Sequence, residues 1–171
     1  MSIPYFYSDL HGGHKNIMKY RKQFRDEQDH WEYCEEEYKK LITKRDVVYC
    51  LGDMCFTEER LKEFSTWPGR KILVCGNHDR DRIPMQSIVD AYDEVYALYK
   101  YKQYWLSHAP IHPQELRGKY NLHGHVHYYT VEDWRYFNCC LENIDMKPIS
   151  LMEVNDIFSQ RKKWQEGLGY V

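Results

Sequence analysis

The sequence predicts an α/β fold whose sheets are not purely parallel. Apolar, β-rich runs alternate with helix-periodic stretches along the chain, without repeats or low-complexity linkers. The runs at 94–99 and 103–107 are too close together for any connection except a hairpin. Ordinary globular composition, 43% hydrophobic and 29% charged, completes the case.

Residues 3–8 read as the first strand and 14–24 as a first helix. Asp29 opens a second helix, with Glu32 three residues on as in a capping box, running through Trp31, Cys34, Tyr38, Leu41 and Ile42. Residues 47–51 form a buried strand, Thr57 caps a short helix around Leu61 and Phe64, Pro68-Gly69 turns the chain, and 71–75 is the next strand. A helical stretch over 83–91 leads into the hairpin, and 120–123 and 136–141 read as further strands. Ser150-Leu151-Met152-Glu153 opens a last helix whose apolar side carries Val154, Ile157, Phe158 and Trp164, with Gly167 and Gly169 as its stop.

At 171 residues the chain fits a single domain, spanning 1–171. The net charge of −2 lacks the basic excess that gives broad attraction to a nucleic-acid backbone, so a nucleic-acid substrate is unsupported by charge. The first apolar run contains Pro4 and leads straight into Asp9. That leaves no room for a signal peptide, and no later stretch is apolar enough to span a bilayer; the expected location is cytoplasmic and membrane-free. The six cysteines form no C-x-x-C pair and read as reduced core residues. Nothing in the sequence specifies the oligomeric state.

Five short blocks carry the chemistry: Asp9-Leu10-His11, Gly52-Asp53, Gly76-Asn77-His78-Asp79, Ser107-His108 and Gly124-His125-Val126-His127. Each pairs a metal ligand with a turn-forming glycine or a strand end. A lone D-x-H or G-D is expected about 0.6 times by chance in this composition, but G-N-H and G-H-x-H only about 0.02 times each, so the set is the signal. Asp9, Asp53 and Asn77 fall just past predicted strand ends, where open α/β sheets gather their ligands. His108, His125 and His127 follow later strands and can reach the same edge. His14, at a predicted helix start, reads equally as a substrate contact or a helix cap, whereas His30, His112 and His123 are set aside as surface or supporting residues. The 16 tyrosines and five tryptophans are read chiefly as core, with base stacking as the minority reading.

In this order the blocks resemble the calcineurin-like metallophosphoesterase superfamily, from Asp9 to His127. The stretch His11-Gly12-Gly13-His14-Lys15-Asn16-Ile17 is further similar to small, uncapped bacterial and phage members. The resemblance implies a four-layer α/β/β/α sandwich with two mixed β-sheets. It implies Asp9, His11, Asp53 and His127 on one metal ion, with Asp53, Asn77, His108 and His125 on a second. Oxygen and nitrogen ligands without a thiolate suit two transition-metal dications, manganese first, with iron, zinc, nickel or cobalt as alternatives. His78 has no metal in the family pattern and is expected to act as a general acid or charge-stabilising donor, oriented by Asp79; Asn77, His78 and His14 would meet the substrate.

The implied activity is hydrolysis of a small phosphodiester or a nucleotide. Single-strand nuclease and phosphomonoesterase activities of the same fold are the alternatives. The competing classes are a scaffold that has lost its ligands, though every ligand position is present here, and a structural zinc protein, which seven dispersed O and N ligand residues do not resemble.

Overall fold

A computed structural model describes residues 2–167. The first sheet has the order β4-β3-β2-β1-β9. Its strands β1 (Pro4–Tyr7), β2 (Val47–Cys50), β3 (Arg70–Val74) and β4 (Glu94–Tyr96) run parallel, with β9 (Ile149–Ser150) antiparallel to β1. The second sheet has the order β5-β6-β7-β8. Here β5 (Tyr99–Tyr101) pairs antiparallel with β6 (Tyr104–Leu106), and β7 (Tyr120–His123) and β8 (Tyr136–Asn138) continue in parallel. Both sheets are mixed, and four α-helices accompany them: α1 (Glu27–Leu41), α2 (Glu58–Ser65), α3 (Met85–Ala91) and α4 (Leu151–Gly167).

Strand alternation explains the packing. Phe6, fully buried, meets Tyr101 and Tyr104 of the second sheet, and Tyr49 meets Tyr99 and Tyr101. Tyr7, one residue on, faces the opposite way and packs on Tyr38 of α1. Trp67 closes that side against Trp31, Tyr38 and Phe64. Helix α4 seats Phe158 on Tyr104, Tyr120 and Phe137. Each such ring contributes roughly 1.5–3 kcal/mol by leaving water, so the aromatic residues hold the layers together.

Several boundaries differ from expectation. The helix expected over 14–24 is only a 3-10 turn, Lys15–Lys19, because Arg21 leaves the helical surface and is drawn fully into the interior. Helix α1 starts earlier than Asp29. Asp26 is the N-cap and accepts from the Asp29 amide, while Asp29 turns back to Arg25. The single strand expected at 94–99 is divided: 94–96 pairs with β3 and 99–101 enters the other sheet, with the Tyr96 and Tyr99 rings 4.6 Å apart across the crossing. The hairpin is therefore β5–β6, turned at Lys102, whose backbone is left-handed at φ 52°. The strand expected to 141 ends at Asn138 and gives way to a 3-10 turn, Leu141–Asn143.

Thr57 and the Ser150–Glu153 box cap their helices as expected. On α4, Val154 and Phe158 are buried but Trp164 is 64% exposed, since it lies beyond the reach of the second sheet's core. Gly169, expected in the helix stop, lies outside the described residues. All six cysteines are free thiols, five of them buried. Among the described residues no helix is long and apolar enough to cross a membrane.

Candidate metal centre

Parallel neighbours end at the same edge, and this places the ligands. Asp9, Asp53 and Asn77 follow β1, β2 and β3; His108 follows β6, and His125 and His127 follow β7. The two sheets join at this edge. Ser8 bridges to Cys140, and the His125 amide donates to Asp9 Oδ2 at 2.9 Å. Asp9, His11, Asp53, His125 and His127 all adopt left-handed backbones, with φ of 57°, 57°, 53°, 73° and 49°. Such conformations cost non-glycine residues on the order of 1 kcal/mol each and concentrate where function demands them.

Glycines make the close approaches possible. A Cβ on Gly76 would lie 2.2 Å from Asp53 Oδ1, and one on Gly124 would lie 2.0 Å from Ser8 Oγ and 2.3 Å from Asp9 Oδ2. At Gly52 it would meet the His108 ring at 2.5 Å. No larger residue fits at these three positions without moving a ligand.

Donor atoms of Asp9, His11 and Asp53 lie within 4.8 Å of one another, as do those of Asp53, His108 and His125. Asp53 belongs to both groups. His127 falls in a third such group with Asp9 and Cys140, its Nε2 3.8 Å from Asp9 Oδ1, and Asn77 Oδ1 joins the second at 3.0 Å from His108 Nε2. Asp9 Oδ1 and His11 Nε2 are buried without a hydrogen-bond partner, 3.5 Å apart. A dry carboxylate oxygen and an imidazole nitrogen left bare in this way fit a cation that both can ligate.

The ligands are pre-aimed. His108 Nδ1 donates to the Leu51 carbonyl at 2.7 Å, which leaves Nε2 for the site. Burial alone would lower the His108 pKa, but its bond to Asp53 and the charges of Asp9 and Asp53 outweigh that and push it up to about 9. Burial would likewise raise the Asp9 carboxyl, yet the His11 ring beside it, the His108 imidazole and the Ser8 hydroxyl hold it well below the usual carboxylate range. Asp9 Oδ2 takes Ser8 Oγ at 2.7 Å, Cys140 Sγ at 3.1 Å and the His125 amide, so only Oδ1 faces the centre.

Three supporting residues were not foreseen. Arg21, fully buried, donates to the carbonyls of Asp9 (2.6 Å) and Leu10 (3.0 Å), and its Nε donates to Glu142 at 2.9 Å. Glu142 also takes His127 Nδ1 at 3.1 Å, turning Nε2 inward. Glu142 directly follows the strand end expected at 141 and was open to the strand-end rule, whereas Cys140 lay hidden inside the run 136–141 and follows β8 only because that strand ends at Asn138. Arg21 left no comparable signal, being one of four cations in the stretch 14–24 read as helix.

His78 lies at the rim, half exposed, with no metal group around it. Its Nδ1 pairs with Asp81, not with Asp79 as expected. Asp79 is buried and accepts backbone N–H groups from Asp53, Met54 and Gly76, stapling the loops after β2 and β3. The physical reason is that the tight turn after Gly76 points adjacent side chains apart, so the residue three positions on meets the ring. His14 sits against the site: its Nδ1 is 3.0 Å from His11 Nδ1, and its ring stacks on Phe56 at 4.4 Å. Burial, with the positive charges around it, lowers its pKa to about 4. Its side chain caps nothing. His30 and His123 are buried apart from the centre, and His112 is exposed at the 3-10 turn Pro113–Leu116.

Two mixed sheets whose strand ends jointly carry carboxylate, amide and imidazole ligands define a metal-dependent hydrolase. The model of the calcineurin-like phosphoesterase superfamily domain matches residues 4–139, and the chain belongs to that superfamily, whose members hydrolyse phosphoesters with bound metal. The chain is similar to the gene 66 protein of Mycobacterium phage L5, 32% identical over 163 residues and covering 74% of this chain and 78% of that protein. An uncharacterized protein of Methanocaldococcus jannaschii is 25% identical over 162 residues, covering 86% of each. The crystal structure of a protein of unknown function from Aquifex aeolicus superposes with a TM-score of 0.74 at 29% identity, covering 92% of this chain and all of that one.

Proposed function

We infer that this chain is a phosphodiesterase acting on a small phosphodiester or a nucleotide with two transition-metal dications, manganese first. The observation that carries the reading is the place of Asp53 in both ligand groups, the position an anionic bridge between two cations must occupy. Asp9, His11, Asp53 and His127 would hold one ion, and Asp53, Asn77, His108 and His125 the other. Bound there, the pair supplies a hydroxide at neutral pH and a clamp for the phosphoryl oxygens.

The protein's own residues do the rest. Asn77 and His78 stand exposed at the rim, where they can meet the phosphoryl oxygens. The Asp81 carboxylate accepts from His78 Nδ1–H and aims Nε2 outward, so that the imidazolium form would donate Nε2–H to the leaving oxygen. His14 stacks on Phe56, which also meets the His78 ring at 5.5 Å, so His14 walls the same side of the site. Asp79 keeps the two ligand loops in register from beneath. The reduced cysteines and the composition favour a cytoplasmic setting.

The test is hydrolysis of bis-p-nitrophenyl phosphate after chelation and after adding Mn²⁺. Activity is expected only with the metal, and Asp53→Asn is expected to weaken both ions together. Full activity in a chelated preparation, or a wild-type Asp53→Asn variant, would overturn the reading. A single-strand nuclease remains the second reading, favoured by one observation, the exposed tyrosines that adjoin His127.

A further inference from the structure

Charge is unevenly distributed around the metal edge. Behind Gly13 lies a cavity of about 590 Å³ between α1 and α2, where Glu27, Glu32, Glu35, Glu59 and Glu63 outnumber the cations Lys15 and Arg60, the latter paired with Glu27 and Glu63. A phosphate chain leaving the centre in that direction would meet like charge. Further along the chain, residues 16–25 include Lys19, Arg21, Lys22 and Arg25 and no acidic residue. Lys19 and Lys22 are exposed and form no ion pair among the described residues. The net charge of −2 averages over this asymmetry.

Three aromatic residues stand by this basic segment. Tyr128 and Tyr129 follow the ligand His127 directly and are 55% and 80% exposed, and Tyr20, within the basic segment, is 66% exposed. Single exposed tyrosines need no explanation, but these are gathered and fixed. The Tyr128 hydroxyl donates to the Tyr20 carbonyl at 2.7 Å, joining the two segments. Asn138 Nδ2 donates to the carbonyls of His127 (2.7 Å) and Tyr129 (2.9 Å), and Asn143 Nδ2 adds a bond to the His127 carbonyl at 2.6 Å. The loop that presents the rings is therefore rigid, and ring stacking on it costs little ordering entropy.

We propose that Tyr20, Tyr128 and Tyr129, with Lys19 and Lys22 flanking Tyr20 in the chain, form a nucleobase-stacking subsite, so that the phosphodiester cleaved at this centre carries a nucleobase. The proposal rests on the phosphodiesterase reading and narrows it. Aromatic faces stack on any base, and neighbouring lysines neutralise the phosphates that link one base to the next. The chemistry is shared by a nucleotide-sized ester and a single strand, and the test separates them.

Thymidine 5′-(p-nitrophenyl phosphate) and bis-p-nitrophenyl phosphate share a leaving group and differ in the base. In the Mn²⁺-loaded protein the ratio of their kcat/KM values should fall about tenfold in Tyr129→Ala and again in Tyr128→Ala, and be restored in Tyr129→Phe and Tyr128→Phe. Binding of a labelled short oligothymidylate to the metal-free protein should weaken by a similar factor in the alanine variants. An unchanged ratio with unchanged oligonucleotide binding would overturn the subsite. If neither ester were hydrolysed by the wild type, the phosphodiesterase reading would fall, and oligonucleotide binding would still decide the subsite by itself. Thymidine monophosphate competing as well as the oligonucleotide assigns a nucleotide-sized ligand. An oligonucleotide advantage of a hundredfold or more that collapses with salt assigns a single strand.

Discussion

Replacing Glu142 by glutamine is the most direct test of the support beneath the metal ligands. Both the Glu142 and the Arg21 side chains are completely buried, and Glu142 Oε1 lies 2.9 Å from Arg21 and 3.1 Å from His127 Nδ1. At about 3 Å and an effective dielectric of about 20, the Arg21–Glu142 attraction is on the order of 5 kcal/mol before the desolvation both charges have suffered. Glu142→Ala would leave a buried guanidinium unpaired, at a cost of about 3–5 kcal/mol, and could unfold the chain. Glu142→Gln keeps the volume and one acceptor. The bond to Arg21 stays charge-assisted by the guanidinium alone and the buried cation loses its counterion, so about 1–3 kcal/mol of stability should go, less than in the alanine variant. His127 loses the carboxylate that orients it, and losing such a partner typically weakens metal binding 10- to 100-fold. Calorimetric titration of chelated protein with Mn²⁺ should show this loss for one ion, while the ion at Asn77, His108 and His125, none of which touches Glu142, keeps its affinity. Wild-type affinity for both ions in a folded Glu142→Gln protein would refute the reasoning.

Three other outcomes are expected. His78→Ala should keep its metal content while turnover falls by roughly two to four orders of magnitude, less for esters with good leaving groups; equal losses for nitrophenyl and alkyl esters would argue against a leaving-group role. Gly124→Ala, whose Cβ would intrude on Ser8 and Asp9 Oδ2, should lose metal affinity before it loses secondary structure, as read by metal titration and far-UV circular dichroism. Burial opposes ionisation of Asp46, but bonds from the Thr43 hydroxyl and from the Ile3 and Thr43 amides outweigh it and lower its pKa. Because the folded value lies below the unfolded one, roughly 3.9, the stabilisation is present at neutral pH and is lost as pH falls through the folded value. Urea melts of Asp46→Asn should therefore differ from wild type at pH 7 and converge in acid.

The sequence by itself determined the residues that meet at the metal edge, because each ligand follows a strand and parallel strands end together. Asp9, Asp53, His108, His125 and His127 needed only that local rule and the glycines beside them. Helix caps were equally legible at Thr57 and Ser150, where the bond spans three residues. The tertiary structure alone decided what stands behind the ligands. Arg21 reaches Glu142 across 121 positions, and Cys140 reaches Asp9 across 131, distances over which no periodicity carries information. It also decided that Asp81 and not Asp79 meets His78, and that 94–96 and 99–101 part into different sheets. Side-chain direction in a tight turn, and the choice between two sheets with equally apolar faces, depend on the surrounding packing, which a short run of residues does not encode.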